Sequence, residues 1–163
     1  MIEIGDFTER DWHSVQSIYQ QGMDTKNATF EEKAPEWNEW NAVHKQNCRL
    51  VAKSDHTVIG WAALSPVSSR SVYAGVAEIS IYIRTDNQGR GVGKKLLSAI
   101  VKASEDKGYW TLQARIFPEN IASIEIHNKC GFRILGRHEK MGRLDGHWRD
   151  VVLLERRSKI IGW

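Results

Sequence analysis

Three glycines, Gly89, Gly91 and Gly93, alternate with other residues at the start of an apolar helical pattern. Glycine weakens a helix by roughly 0.5–1 kcal/mol relative to alanine, so three glycines here indicate that bare backbone is needed. The first N–H groups of a helix lack internal partners and lie at the positive end of its dipole, where phosphate binds favourably. Three cations lie in the same segment: Arg90, Lys94 and Lys95. We therefore expect an anion-binding site over residues 88–94.

Two common phosphate-binding motifs do not fit this segment. A Walker A loop needs a glycine at position 88 and a hydroxyl residue at position 95, where the chain has glutamine and lysine. The dinucleotide fingerprint G-x-G-x-x-G needs a glycine at position 94 or 96, where the chain has lysine and leucine. The pattern that remains is Gln88-x-x-Gly91-x-Gly93.

The elements around the glycines must position them. The segment 77–83, AEISIYI, alternates strictly and predicts a half-buried strand with its isoleucines on one face. A helix from about Gly91 to Lys107 follows, and Gly108 ends it. Its expected inward positions are Val92, Leu96, Ala99, Ile100 and Ala103.

The rest of the chain reads as alternating short elements. Ile2–Ile4 predicts a strand, and Thr8 with Asp11 predicts the capped start of a helix. Two hairpins are predicted, one turning at 55–56 and the other at 145–146. A second helix carries Trp37, Trp40 and Val43; a later strand ends at Pro118, and a short helix begins near Asn120. The order β α α β β β α β α β β predicts a mixed α/β fold in a single domain, 1–163.

Composition excludes several classes of protein. The chain has 163 residues, 41% hydrophobic and 26% charged, with a net charge of +3, which is typical of one globular domain. The chain lacks the basic run with interleaved aromatic residues that is typical of nucleic-acid binding. It also has no apolar run long enough to span a membrane. Six scattered histidines predict no metal site, and two cysteines without disulfide spacing indicate a reducing cytoplasm. The basic residues near the C-terminus, Arg156, Arg157 and Lys159, are expected to form a solvated end.

The glycine pattern resembles the acyl-CoA-binding motif of the GNAT superfamily of N-acetyltransferases. A second segment, Asn120-x-x-Ser123-x-x-x-His127-x-x-x-Gly131-Phe132, resembles that family's other CoA-contacting motif, and about 30 residues separate it from Gly91. The resemblance implies a central mixed, mostly antiparallel twisted sheet of six to seven strands flanked by about four helices. It also implies acetyl-CoA as co-substrate, with no metal.

Within the superfamily, four segments resemble the phosphinothricin acetyltransferase branch. They are Thr29-Phe30, AEISIYI at 77–83, IHNKCGF at 126–132 and GHWRDV at 146–151. This resemblance covers roughly residues 1–155 and has no counterpart for Ser158–Trp163. It implies acetyl transfer to the primary amine of a small acceptor such as phosphinothricin or methionine sulfoximine, and a homodimer.

The resemblance also assigns cofactor contacts. The pantetheine arm is expected along the backbone of the strand, and the pyrophosphate against the glycine segment. The expected cofactor-binding residues are Ile81, Tyr82, Ile83, Gln88, Gly89, Arg90, Gly91, Val92, Gly93, Lys94, Asn120 and Ser123. For Asn120 the alternative is a helix cap without ligand contact.

Glu78 and His127 are the candidate catalytic residues. Transfer requires removal of a proton from an amine, and Glu78 lies on the strand that leads into the phosphate site. The alternative for Glu78 is a salt-bridged carboxylate at a strand edge. Many relatives have tyrosine where this chain has His127, whose imidazole could act as acid or base. The alternative for His127 is a ring bonded to a backbone carbonyl of its own helix.

The acceptor site is less legible in the sequence. Expected substrate-binding residues are Phe30, Arg70, Glu78, Ser80 and His147. Arg70 lies in the polar connection 65–75 and could pair with a carboxylate or phosphinate, the alternative being a solvated loop residue. Trp37 and Trp40 are more typical of core. Two other functions stay open: acetylation of a protein N-terminus or lysine, and a CoA-binding sensor without turnover.

Overall fold

The computed structural model describes residues 1–163 and contains seven strands and four α-helices. The strands are β1 (Ile2–Asp6), β2 (Leu50–Ser54), β3 (Thr57–Pro66), β4 (Val76–Ile83), β5 (Thr111–Ile116), β6 (Arg133–Leu144) and β7 (His147–Arg157). The helices are α1 (Trp12–Asp24), α2 (Trp37–Val43), α3 (Val92–Asp106) and α4 (Ile121–Lys129). Their order along the chain is β1-α1-α2-β2-β3-β4-α3-β5-α4-β6-β7, so the predicted order of elements is confirmed.

All seven strands belong to one sheet in the order β1-β2-β3-β4-β5-β7-β6. Every neighbouring pair is antiparallel except β4 and β5, which run parallel. The predicted mixed, mostly antiparallel sheet with about four helices is therefore confirmed.

The parallel pair β4–β5 separates soon after it begins. Only Val76–Glu78 of β4 pairs with Thr111–Gln113 of β5. Beyond these residues β4 continues to Ile83 and β5 to Ile116, and the two strands no longer pair with each other. The two strands therefore form a wedge in the middle of the sheet, with unpaired backbone on its walls.

The sheet is covered on both faces. Helix α3 packs on one face, where buried Val92, Leu96 and Ile100 repeat every four residues and match the predicted inward stripe. Leu97 and Val101, which the prediction left out, widen that stripe. The other face is covered by α1 and α2 through an aromatic cluster: Phe7, Trp12, Tyr19, Trp37, Trp40, Trp61 and Tyr82.

Local signals in the sequence explain most boundaries. Thr8 and Asp11 form the expected capping box ahead of α1. Both predicted hairpin turns are present, and their central residues, 55–56 and 145–146, have positive φ. Helix α2 carries Trp37, Trp40 and Val43 as predicted, with Trp40 fully buried and Val43 60% exposed at the helix end.

The prediction of a solvated C-terminal end was wrong for Arg156, whose side chain is 21% exposed, whereas Arg157 and Lys159 are exposed as expected. Arg156 donates to Glu105 Oε1 at 2.9 Å and to the Cys130 carbonyl at 3.2 Å. Arg157 donates to the carbonyls of Ile161 and Gly162, each at 2.8 Å, and thereby folds the last residues back on the chain. No helix combines the length and the apolar character needed to cross a membrane.

Candidate active site

Two adjoining cavities occupy the wedge between β4 and β5. The larger, about 570 Å³, is lined by Glu78, Ser80 and His127 among others and is called the acceptor cavity because the residues expected to bind the acceptor include the first two of these. The cofactor cleft, about 380 Å³, reaches the glycine segment at the start of α3. Five residues line both spaces: Ala28, Ile81, Tyr82, Asn120 and Ser123. A ligand in the cleft can therefore place one end in the acceptor cavity.

The backbone of β4 presents donors and acceptors to the wedge. The Arg84 N–H donates to the Ile59 carbonyl at 2.8 Å, which makes this a hydrogen-bonded pair with β3. Since such pairs alternate along antiparallel strands, Tyr82 also turns its backbone toward β3, whereas Ile81 and Ile83 turn theirs toward the wedge. An extended ligand could add here as a short strand. Tyr82 lines both cavities with its side chain instead.

The three glycines serve two purposes. Gly89 and Gly91 have φ of +74° and +80°, a region costly for other residues, and a Cβ on either would meet no atom within 4 Å. Gly91 is the N-cap of α3 and has no capping side chain, so the first amides of the helix stay free for an anion. At Gly93, by contrast, a Cβ would approach Ile126 Cδ1 to 3.1 Å. Gly93 therefore permits close packing of α3 on α4.

Of the polar and charged side chains near the glycine segment, some line the cofactor cleft and others contact the protein itself. Lys94 lines the cofactor cleft, as does Gln88, whose Nε2 donates to the Ile83 carbonyl at 3.4 Å. Arg90 is exposed and lies outside the residues that line the cleft. The expected contribution of Lys95 was wrong, because its Nζ donates to the Ile2 carbonyl at 2.7 Å. Val92 is buried in the core, so only its backbone could contact a ligand.

Glu78 lies in the wall of the acceptor cavity with 32% of its side chain exposed. Burial raises the pKa of its carboxyl, and the positive charge of Arg115 opposes that rise. The contact is an ion pair of 3.4 Å between Glu78 Oε1 and Arg115 Nε. The salt bridge considered as the alternative is present, in a position that also faces the cavity.

His127 is only 2% exposed and lines the same cavity. Its Nδ1 lies 2.7 Å from the Ser123 carbonyl one turn back on α4, and a carbonyl only accepts, so Nδ1 bears the proton. Burial lowers the pKa of the imidazole despite this hydrogen bond. The ring is therefore neutral, and Nε2, which has no partner within the chain, presents a lone pair. The alternative considered for His127, a ring bonded to a backbone carbonyl of its own helix, is therefore present, and this bond holds the ring in the Nδ1–H tautomer.

Asn120 caps α4 and also joins two loops. Its Oδ1 accepts from the Ser123 N–H at 3.3 Å, as an N-cap does, and its Nδ2 donates to the Asn27 carbonyl at 3.2 Å. The cap considered as the alternative is thus present. The second bond ties α4 to the segment 25–36, which covers the acceptor cavity.

The covering segment brings Phe30 over the acceptor cavity. Phe30 packs edge-on against Phe117, with ring centroids 4.9 Å apart, and a Cβ at Gly142 would approach its ring to 2.9 Å. Arg149 of β7 fastens the segment by donating to the Lys26 carbonyl at 2.7 Å while its guanidinium lies 4.1 Å from the Phe117 centroid. Arg149 was not among the predicted site residues, although it lies within the segment GHWRDV.

Several predicted positions lie elsewhere. Arg70 and His147 are exposed and do not line the acceptor cavity, and Arg70 lies 5.5 Å from the Tyr73 ring centroid. Trp37 and Trp40 belong to the core cluster, in agreement with the expectation. Arg115, which the sequence analysis also missed, does line the cavity. Its signal was the alternation in TLQARI, which places Arg115 on the same strand face as Gln113.

Comparisons with known proteins agree with this geometry. Residues 12–132 match the acetyltransferase (GNAT) family. A phosphinothricin N-acetyltransferase of Alcaligenes faecalis is 32% identical over 156 residues, which cover 90% of this chain and 77% of the relative. An L-methionine sulfoximine/L-methionine sulfone acetyltransferase of Pseudomonas paraeruginosa is 30% identical over 118 residues, 71% of this chain and 69% of the relative.

Among solved structures, a GNAT superfamily phosphinothricin acetyltransferase from Sinorhizobium meliloti, in complex with acetyl-CoA, superposes with a TM-score of 0.87. The two sequences are 29% identical, and the match covers 96% of this chain and 88% of the other. The likeness therefore extends over nearly the whole sheet and its helices.

Proposed function

This chain belongs to the GNAT acetyltransferase family, and we propose that it acetylates the primary amine of a small amino-acid-like acceptor. As a member of that family it is an acetyl-CoA-dependent N-acetyltransferase. The relatives named for phosphinothricin and methionine sulfoximine support acceptors of that type. Residues 1–163 would act as one acetyltransferase domain.

One observation supports this function most directly: the cofactor cleft and the acceptor cavity share the wall made by β4 and the start of α4. The cleft fits acetyl-CoA in shape and chemistry. It offers free amides at Gly91 and the following turn for a pyrophosphate, and the backbone of Ile81 and Ile83 for an extended amide chain. When bound there, acetyl-CoA supplies the thioester carbon that the acceptor amine attacks.

We assign the proton chemistry to Glu78 and His127. The ionised carboxylate of Glu78 can accept a proton from the acceptor ammonium, directly or through water. His127 is neutral with its proton on Nδ1, so Nε2 accepts a proton rather than donates one. This arrangement favours a second base over the proton donor that the sequence analysis also considered. Ser80 and Phe30 would orient the acceptor from two sides of the cavity.

The remaining proposals concern the whole protein. We propose that the enzyme is a homodimer acting in the cytoplasm on a small amine and on no nucleic acid. The outermost strand, β6, has a free edge and exposes Ile134 and Leu135, which would suit contact with a second copy. Cys48 and Cys130 are unpaired, as a reducing compartment allows. Sedimentation analysis of the purified chain tests the dimer.

Thiol release from acetyl-CoA tests the activity itself. The purified protein is mixed with phosphinothricin, methionine sulfoximine, a lysine peptide and an N-terminal alanine peptide. We expect release with the two amino acids and little with either peptide, because the covering segment restricts access to the cavity. Acetyl-CoA binding with no release from any amine would instead support the sensor function.

A further inference from the structure

Arg115 is the only lysine or arginine that lines the acceptor cavity. It lies on β5, and its half-exposed side chain (49%) shares the cavity with two carboxylates, Glu31 and Glu78. An acceptor that brings a negative group into this cavity therefore has one permanent cation to meet.

The guanidinium of Arg115 is also incompletely used by the protein. Its only charged contact is the single 3.4 Å approach of Nε to Glu78 Oε1, and it donates no hydrogen bond within the chain. By comparison, the guanidinium of Arg149 is bound to three groups: the Lys26 carbonyl, Asn27 Oδ1 and Glu119 Oε2. The two terminal nitrogens of Arg115 are thus free for a fork-shaped contact with a carboxylate or phosphinate.

We propose that Arg115 binds the carboxylate of an α-amino-acid acceptor and so places its amine at Glu78. In such an acceptor the amine and the carboxylate are attached to the same carbon. The adjacent charges of Glu78 and Arg115 complement that pair, negative opposite ammonium and positive opposite carboxylate. The assignment rests on the proposed function and gives Arg115 the role that the sequence analysis expected of Arg70.

The rest of the cavity then receives the acceptor side chain. Beyond the ion pair the lining is mainly apolar, with Phe30, Phe117, Met141 and Val151. An acceptor bound by its two charged groups projects its side chain toward these residues. Specificity for the α-amino-acid group and specificity for the side chain therefore belong to different parts of the cavity.

The pairing also links acceptor binding to the base. In the free protein Arg115 opposes the rise in the pKa of Glu78 that burial causes. A carboxylate that engages Arg115 offsets this positive charge and would raise the proton affinity of Glu78, whereas the ammonium of the same acceptor would lower it until the proton has been transferred. The other titratable side chains facing the cavity are Tyr19, Glu31, Tyr82 and His127.

Matched acceptors test the assignment. The substrates are methionine sulfoximine and the amine that lacks only its α-carboxylate, and the proteins are wild type, Arg115→Met and Arg115→Lys. At a pH above the acidic limb of each protein, we expect Arg115→Met to lower kcat/KM roughly 10–100-fold for the amino acid and to change it little for the plain amine. Arg115→Lys should recover part of the loss, since lysine keeps the charge without the fork. Arg133→Met, which breaks a surface ion pair with Glu155, is the control and should leave kcat/KM unchanged for both substrates.

The outcomes separate this assignment from the proposed function. If wild type releases no thiol with any amine, the proposed function fails. If wild type is active and Arg115→Met slows both substrates equally, Arg115 does not recognise the carboxylate and the assignment is overturned. An unchanged preference in Arg115→Met overturns it as well. Thermal melting and acetyl-CoA binding of each variant show that the fold and the cofactor cleft are intact.

Discussion

At the scale of single residues, the pKa values of Glu78 and His127 shift in opposite directions. Burial raises the pKa of Glu78, a carboxyl, and lowers the pKa of His127, an imidazole, because both environments disfavour the charged form. Their proton affinities are therefore closer to each other than those of the free side chains. Two proton acceptors in the wall of one cavity suit an enzyme that must deprotonate an amine near neutral pH.

Replacing Glu78 by glutamine should remove the proposed base and keep the shape of the side chain. We expect kcat/KM to fall roughly 10²–10⁴-fold while acetyl-CoA binding stays nearly unchanged. Steady-state kinetics and calorimetric titration measure the two quantities. Glu139→Gln, on the exposed part of β6, is the control. Normal turnover in Glu78→Gln would exclude Glu78 as the base.

The pH profile follows from the direction of the Glu78 shift. Its pKa lies above the ordinary value of 4.5, and the carboxylate must be ionised to accept a proton. We therefore expect kcat/KM to fall as pH drops through this raised pKa, at a higher pH than an ordinary glutamate would give. In Arg115→Met this acidic limb should move further toward neutral pH, since the opposing charge is gone. A limb that stays in place would contradict the coupling.

At the scale of elements, the start of α3 and the covering segment determine what the wedge can bind. The periodicity of α3 and the alternation of β4 were legible in the sequence because each pattern reflects one face of one element. The bond from Arg149 to Lys26 spans 123 residues, and no local pattern encodes such a contact. The covering of the acceptor cavity therefore could not be predicted, whereas the glycine segment could.

Gly91 can be compared with Gly108, a matched position. Both have positive φ, +80° and +85°, and a Cβ on either meets no atom within 4 Å. Valine at each should cost a similar ~1–2 kcal/mol of stability. Only Gly91→Val should weaken acetyl-CoA binding, because only Gly91 lines the cofactor cleft. Equal affinities in the two variants, measured by calorimetry, would contradict the phosphate assignment.

Loosening the covering segment should affect the acceptor more than the cofactor. Arg149→Met removes the hydrogen bond to the Lys26 carbonyl and the charge above Phe117. We expect the KM for the acceptor to rise roughly tenfold, with a smaller change in the KM for acetyl-CoA. Arg143→Met, which alters the same hairpin near Trp148, is the control. A rise confined to the KM for acetyl-CoA would show that the segment serves the cleft instead.

At the scale of the whole molecule, the last residues complete the fold. Arg157 donates to the carbonyls of Trp110, Ser158, Ile161 and Gly162, so one side chain joins β5 to the C-terminus. The sequence predicts only a basic end here, because the carbonyls that Arg157 binds reach it through the fold of the backbone and follow no local pattern. Composition gives the charge of a segment, and it does not predict which groups a charged side chain will bind in the fold.

Arg157→Met should therefore lower the melting temperature without changing the chemistry. Each lost kcal/mol corresponds to about 2–4 °C in a domain of this size. We expect a fall of several degrees by calorimetry and an unchanged kcat. Lys159→Met, at an exposed neighbouring position, should melt like wild type. If both variants melt alike, the terminal segment adds nothing to stability.

The wedge leaves part of a sheet's edge open inside a folded protein. The amides of Ile81 and Ile83 lack strand partners in the free chain, so they should take up deuterium quickly beside the protected amides of β3. An occupant of the cleft would supply those partners and slow the uptake at the same two positions. The strands on either side of the wedge are joined by only three residue pairs, 76–78 with 111–113. Occupancy would therefore stiffen the junction between the two halves of the molecule.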